Sequence, residues 1–150
     1  MSQAVVALLA ALVGAGAAVL GQLIGPVVQS RRAHRHWLRD KRTEVYEDFM
    51  ADAASASGHL HSLMGSDRSV RNDETYKKLM RDLRAGASRI DLYAMAELRE
   101  AASDVWVNYQ LAYYAYYHES PEQQSGEMRQ VFVEDVERVR QLIRKELGVD

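Results

Sequence analysis

The stretch from Ala4 to Val28 holds 25 residues of which only Gln22 is strongly polar, and it runs directly into Arg31, Arg32, Arg35, Arg39, Lys41 and Arg42. As a helix such a run is roughly 37 Å long, against a hydrocarbon core of roughly 30 Å, so it is long enough to cross a bilayer with some tilt. The start, Met1-Ser2-Gln3, is uncharged, and the small residues Ala15-Gly16-Ala17 are followed by more apolar chain. A secretory signal needs a positive start, a shorter apolar run and a polar cleavage region. The expectation is an uncleaved anchor.

Basic flanks stay on the cytoplasmic side, so the six cations predict an N-terminus outside and the remainder of the chain inside a bacterial plasma (inner) membrane. Arg31, Arg32, Arg35, Arg39, Lys41 and Arg42, with Trp37 at interfacial depth, are candidate contacts for anionic lipid headgroups. The positive charge is local. Positions 43–150 carry 13 Lys/Arg against 20 Asp/Glu, a net of −7, which argues against nucleic acid as a partner. The organisation expected is an anchor over 1–29, a basic juxtamembrane segment over 30–42, and a cytoplasmic helical bundle over 43–150.

Within the apolar run, Ala7, Ala11, Gly14, Ala18, Gly21 and Gly25 recur at alternating steps of four and three, which puts small side chains on one stripe. Small residues let helix backbones approach closely and gain dispersion contacts, so the stripe is a candidate seam for self-association or for docking on another transmembrane subunit. Gln22 is placed to hydrogen-bond across such a seam. Pro26 is expected to kink the helix where it leaves the bilayer.

Beyond the basic segment the hydrophobic period is helical throughout, and no strand pattern occurs. Leu38, Val45, Phe49, Ala53, Ala56, Leu60 and Leu63 form one face, and Gly65–Asn72 has turn composition. Asn72 caps a helix with Tyr76, Leu79, Leu83, Ala87 and Ile90 inward, and a break unmarked by Gly or Pro falls near Tyr93–Ala96. Leu98, Ala102, Val105, Tyr109, Ala112 and Tyr116 make the next face. Ser120-Pro121-Glu122-Gln123 opens a last helix with Met128, Phe132, Val136, Val139, Ile143 and Leu147 inward, ended by Gly148. The fold class expected is all-α: one N-terminal transmembrane helix followed by an antiparallel bundle of about four helices.

Little in the chain points to chemistry. With no cysteine there is no disulfide framework or thiol nucleophile, in keeping with a reducing compartment. A di-iron bundle needs Glu-x-x-His on two helices, and that motif is missing from the sequence. The five histidines, His59 and His61 included, read as solvated or interfacial rather than as ligands, so no metal and no cofactor are expected. No phosphate-binding glycine loop is present, and an enzyme is not expected. The segment Trp106–His118, WVNYQLAYYAYYH, carries more rings than a small core absorbs. Tyr109 and Tyr116 are expected inside, while Trp106, Tyr113, Tyr114 and Tyr117 are candidates for a partner surface.

The pattern Trp37-x-x-x-Lys41-Arg42-x-Glu44-Val45-Tyr46-x-x-Phe49 after a single apolar run, with LREAASDVW at 98–106 and RKELGV at 144–149, resembles a recurring type of small single-pass actinobacterial membrane protein. The resemblance implies the same topology and a helical cytoplasmic domain, and it carries over no catalytic residue. The function expected is a non-enzymatic membrane protein that oligomerises or docks through its seam and presents a helical interaction module, as a scaffold or an accessory subunit. Two alternatives remain: an effector whose assembled spans, with Gln22 facing a wet path, form a pore sensed by the bundle, and a ligand sensor with a pocket among the tyrosines.

Overall fold

A computed structural model describes residues 3–64, 73–117 and 122–149, with side chains from position 30 onward except at 31, 32, 64, 122 and 123. Among these residues the chain is all-helical, with α1 Gln3–Met64, α2 Asp73–Asp91, α3 Ala96–Tyr117 and α4 Glu122–Leu147. It divides into two units, Met1–Asp40 and Lys41–Asp150. The first is the N-terminal part of α1. No helix among the described residues is long and apolar enough to cross a membrane; the side chains of the apolar run, the seam and the expected kink at Pro26 lie outside them.

The second unit is built by the apolar faces that the helical period marks. Along α1, Val45, Phe49, Ala53, Ala56, Leu60 and Leu63 are buried, joined by Tyr46. Leu79, Leu83 and Ile90 from α2, Leu98, Ala102, Val105, Tyr109, Ala112 and Tyr116 from α3, and Phe132, Val139 and Ile143 from α4 complete a continuous core. Leu38, expected on the α1 face, is only half-buried, as are Tyr76, Ala87, Met128, Val136 and Leu147. Ala101 and Tyr113 broaden the buried face of α3 beyond the expected six positions.

Contacts between helices give the topology. Asp48 of α1 pairs with Arg89 near the end of α2, and Arg42 at the start of this stretch of α1 pairs with Glu146 at the end of α4. Glu97 at the start of α3 faces Lys145 at the end of α4, and Tyr76 early in α2 stacks on Tyr113 late in α3. Early positions meet late ones in every pair, so the four helices run antiparallel to their neighbours in the order α1, α2, α3, α4 around the core. Short connections allow this arrangement.

Helices α1 and α2 approach closely where Gly86 meets Phe49. Gly86 is buried, and a Cβ placed there would lie 2.8 Å from Phe49 Cδ2 and 3.7 Å from the Phe49 Cα. Only a residue without a side chain lets the two backbones come that near. Between α2 and α3 the turn Leu92–Met95 has neither Gly nor Pro; the amides of Tyr93 and Ala94 both donate to the Ile90 carbonyl, tightening the last turn until the chain leaves the helix. At the other terminus Gly148 takes φ +67°, and its amide and that of Val149 donate to the carbonyls of Lys145 and Arg144. This left-handed glycine cap ends α4 where the sequence places its end.

Candidate functional site

Three groups of side chains warrant description: the basic segment, the ring cluster, and the outer face of α3. In the basic segment Arg35, Arg39 and Trp37 are exposed, the last 54 % so, with the His34 ring stacked 5.8 Å from it. The two remaining cations in view are engaged by carboxylates. Lys41 Nζ donates to Glu44 at 2.8 Å, which raises the lysine's pKa above its ordinary value. Arg42 reaches Glu146, whose side chain is only 5 % exposed, at 3.5 Å. Expected as a headgroup contact, Arg42 instead belongs to the end of the bundle, where a buried carboxylate requires a cation. The Tyr46 hydroxyl is buried beside this pair, and loss of solvation, with Glu146 next to it, pushes its pKa well up. Arg31 and Arg32, and the seam residues Ala7, Ala11, Gly14, Ala18, Gly21, Gln22 and Gly25, have side chains outside the described residues.

The ring cluster fills the bundle between α1, α2 and α3. Tyr109, fully buried, has its hydroxyl 2.8 Å from His59 Nδ1. Tyr113 lies flat against Tyr76 with ring centres 3.8 Å apart, and the His59 ring also stacks on Tyr113, at 6.0 Å. Tyr113 therefore departs from the expected partner surface. It is 1 % exposed, and its hydroxyl donates to Asp73 Oδ1 at 2.8 Å, so the first carboxylate of α2 supplies the partner that a buried phenol needs. Tyr117 is half-buried against Tyr113 and Tyr116, and Trp106 is half-buried beneath the Arg84 guanidinium, 5.4 Å from its ring centre. Of the four expected surface rings only Tyr114 is exposed.

His59 likewise differs from its expected solvated state. Burial lowers its pKa, and its Nε2 is enclosed with no hydrogen-bond partner. The neutral ring is favoured, with Nδ1 positioned to accept the Tyr109 proton. Burial raises the pKa of Tyr76 to about 12, and that of Tyr109 higher still. These are phenols held protonated in a stacked core. The cavity that touches Tyr116, lined by Leu60, Leu63, Ala112, Ser125 and Arg129, has a volume of about 10 Å³, room for one water. A larger open groove of about 260 Å³ lies between α2 and α3 around Arg84, Arg99, Ser103 and Trp106. No group of three or more His, Asp or Glu able to hold a metal occurs among the described residues.

The outer face of α3 carries what the sequence reading passed over. Val107, Leu111 and Tyr114 are 36 %, 48 % and 38 % exposed, and their spacing of four and three places them on one stripe away from the core. Their signal was available in the same helical period that marks the buried face. By its architecture the second unit is an antiparallel four-helix bundle with an exposed apolar stripe. No family model, curated protein or solved structure matches the chain.

Proposed function

We propose that the chain is a non-enzymatic, single-pass membrane protein with its N-terminus outside and its bundle in the cytoplasm. It docks or self-associates through the stripe Ala7, Ala11, Gly14, Ala18, Gly21 and Gly25 and presents the bundle as an interaction module, either as a scaffold or as an accessory subunit of a membrane complex. The observation that carries this reading is α1 itself. One helix, Gln3–Met64, holds in succession the 25-residue apolar run, the basic segment with its exposed Trp37, and the first helix of the bundle. An apolar run of that length followed by cations and an interfacial tryptophan is the pattern of an anchor with a cytoplasmic exit. The likeness to small single-pass actinobacterial membrane proteins points the same way.

The absence of cysteine from the sequence makes the test clean, because single introduced thiols report without background. Ser2→Cys should react with a membrane-impermeant maleimide in intact cells, and Ser88→Cys, exposed on α2, only after permeabilisation. The wild-type chain should stay with the membrane through alkaline carbonate, while removal of residues 1–29 releases it. Release of the full chain by carbonate, or the reverse labelling, refutes the reading. Leucine at Gly14, Gly21 and Gly25 together should abolish association in mild detergent; unchanged association removes the seam from the proposal.

A further inference from the structure

Resting on the reading of the bundle as an interaction module, we infer that the stripe Val107, Leu111 and Tyr114 on α3 is the docking surface, and that its partner is an amphipathic helix with basic flanks from another protein. The contacts Asp104 to Arg138 and Asn108 to Asp135 set the register of α3 against α4, and one turn further on Leu111 comes level with Val131, itself 39 % exposed. Val107, Leu111 and Val131 thus lie along the α3/α4 shoulder, while Tyr114, whose ring meets the edge of Tyr76, carries the i, i+4, i+7 row of α3 over toward α2. Leu92, Met95, Val133 and Val149 are exposed as well, but among the described residues only Val107, Leu111 and Tyr114 recur at i, i+4, i+7 along one helix, and an exposed row at helical spacing marks an interface.

Charge decides the occupant. Glu100 and Asp104 continue the stripe at steps of four and three before Val107, and Glu134 lies on the α4 side one turn beyond Val131. Two copies meeting in register along this row would set Glu100 against Glu100 and Asp104 against Asp104. Like charges at such positions oppose pairing. Arg138, the cation beside them, is already held by Asp104 at 3.6 Å. The acidic border around an apolar row is complemented by an apolar helix flanked by Lys and Arg, and by the same token it rejects an acidic one.

The test uses the full chain in nanodiscs of neutral lipid and two fluorescent synthetic helices of about 18 residues with identical leucine stripes, one flanked by lysine and one by glutamate. The lysine-flanked peptide should bind saturably, weaken as salt rises from roughly 50 to roughly 300 mM, and lose at least about tenfold in affinity to Leu111→Gln. The glutamate-flanked peptide should not bind. Equal binding of both peptides, no binding of either, or binding indifferent to Leu111→Gln and Val107→Gln overturns the inference, as does a wild-type dimer that Leu111→Gln converts to monomer. Both substitutions are at exposed positions, and unchanged thermal unfolding confirms that the variants fold. Carbonate resistance is read on the same variants, so a failed docking surface with retained anchoring is distinguished from a failed membrane assignment.

Discussion

Replacing Gly86 by alanine tests the packing of α1 on α2 with a built-in control. Glycine within a helix is less favourable than alanine by about 0.8–1 kcal/mol, so in open space the exchange stabilises. At Gly58, within α1, nothing lies within 4 Å of the added Cβ, and Gly58→Ala should gain about that amount. At Gly86 the same methyl would sit 2.8 Å from Phe49 Cδ2, and Phe49 is fully buried with its own Cα 3.7 Å away, so neither ring nor backbone has room to yield. Overpacking of this kind costs about 1–3 kcal/mol, and a contact under 3 Å belongs in the upper part of that range. The net for Gly86→Ala is a loss of about 1–2 kcal/mol, which separates the two alanine variants by about 2–3 kcal/mol. For a bundle of this size that is a difference in Tm of about 10 °C. Urea and thermal unfolding of the purified chain, followed by circular dichroism, give both numbers. Adding Phe49→Leu to Gly86→Ala should recover part of the loss, a coupling that identifies the ring as the obstacle. Gly86→Ala at or above wild-type stability would refute the close approach.

Further expectations follow from the polar groups inside the bundle. His59 has a folded pKa below the unfolded value of 6.5, so its contribution is present above pH 6.5 and is lost as pH falls through the folded value; urea midpoints should decline on acidification. The slope attributable to it is under about 1.4 kcal/mol per pH unit, reduced by the ring's partial exposure, and His59→Gln should flatten it. At the alkaline end Tyr76, raised to about 12, ionises less readily folded than unfolded, so stability should fall between pH 10 and 12, and Tyr76→Phe should delay that fall. Tyrosinate absorbance during the titration checks it. Arg42→Met leaves the Glu146 carboxylate buried without its cation and should cost about 2–3 kcal/mol, discounted because Arg42 is 39 % exposed; Arg42→Met with Glu146→Leu should recover most of it in urea melts.

The positions legible in the sequence and those that escaped it divide by the distance over which their cause acts. Phe49, Ala53, Ala56, Leu60 and Leu63 are buried because of a period within α1 itself, and the cap at Gly148 uses only nearby carbonyls, Lys145 for the Gly148 amide and Arg144 for that of Val149. Such causes are local. Gly86 owes its identity to Phe49 on another helix, and no feature of α2 announces that. Tyr113 is buried because Asp73, 40 residues away, accepts its proton, and His59 is drawn inward by Tyr109, 50 residues away. Arg42 reads as one more cation in a basic run until Glu146 is folded against it. Tyr113, His59 and Arg42 each have a polar tip that favours the surface, and a partner on a neighbouring helix satisfies that tip and allows the body to be buried.

The same reasoning explains why counting rings was a poor guide to the partner surface and helical phase a better one. An aromatic surplus says that too much ring area exists for one core face, but stacking lets Tyr76, Tyr113 and Tyr117 share a small volume with centres 3.8 to 4.8 Å apart, so most of the surplus is absorbed. Phase is not negotiable in this way. With Val105, Tyr109, Ala112 and Tyr116 turned inward, Val107, Leu111 and Tyr114 must point outward whatever their neighbours do. Burying Leu111 would require α3 to rotate and expose Tyr109, whose hydroxyl would then lose His59. The outward row is therefore imposed by the core; Tyr114 packs edge-on against Tyr76 within the bundle, whereas Val107 and Leu111 stay exposed. That leaves association with another helix as the physical role for which those side chains are suited.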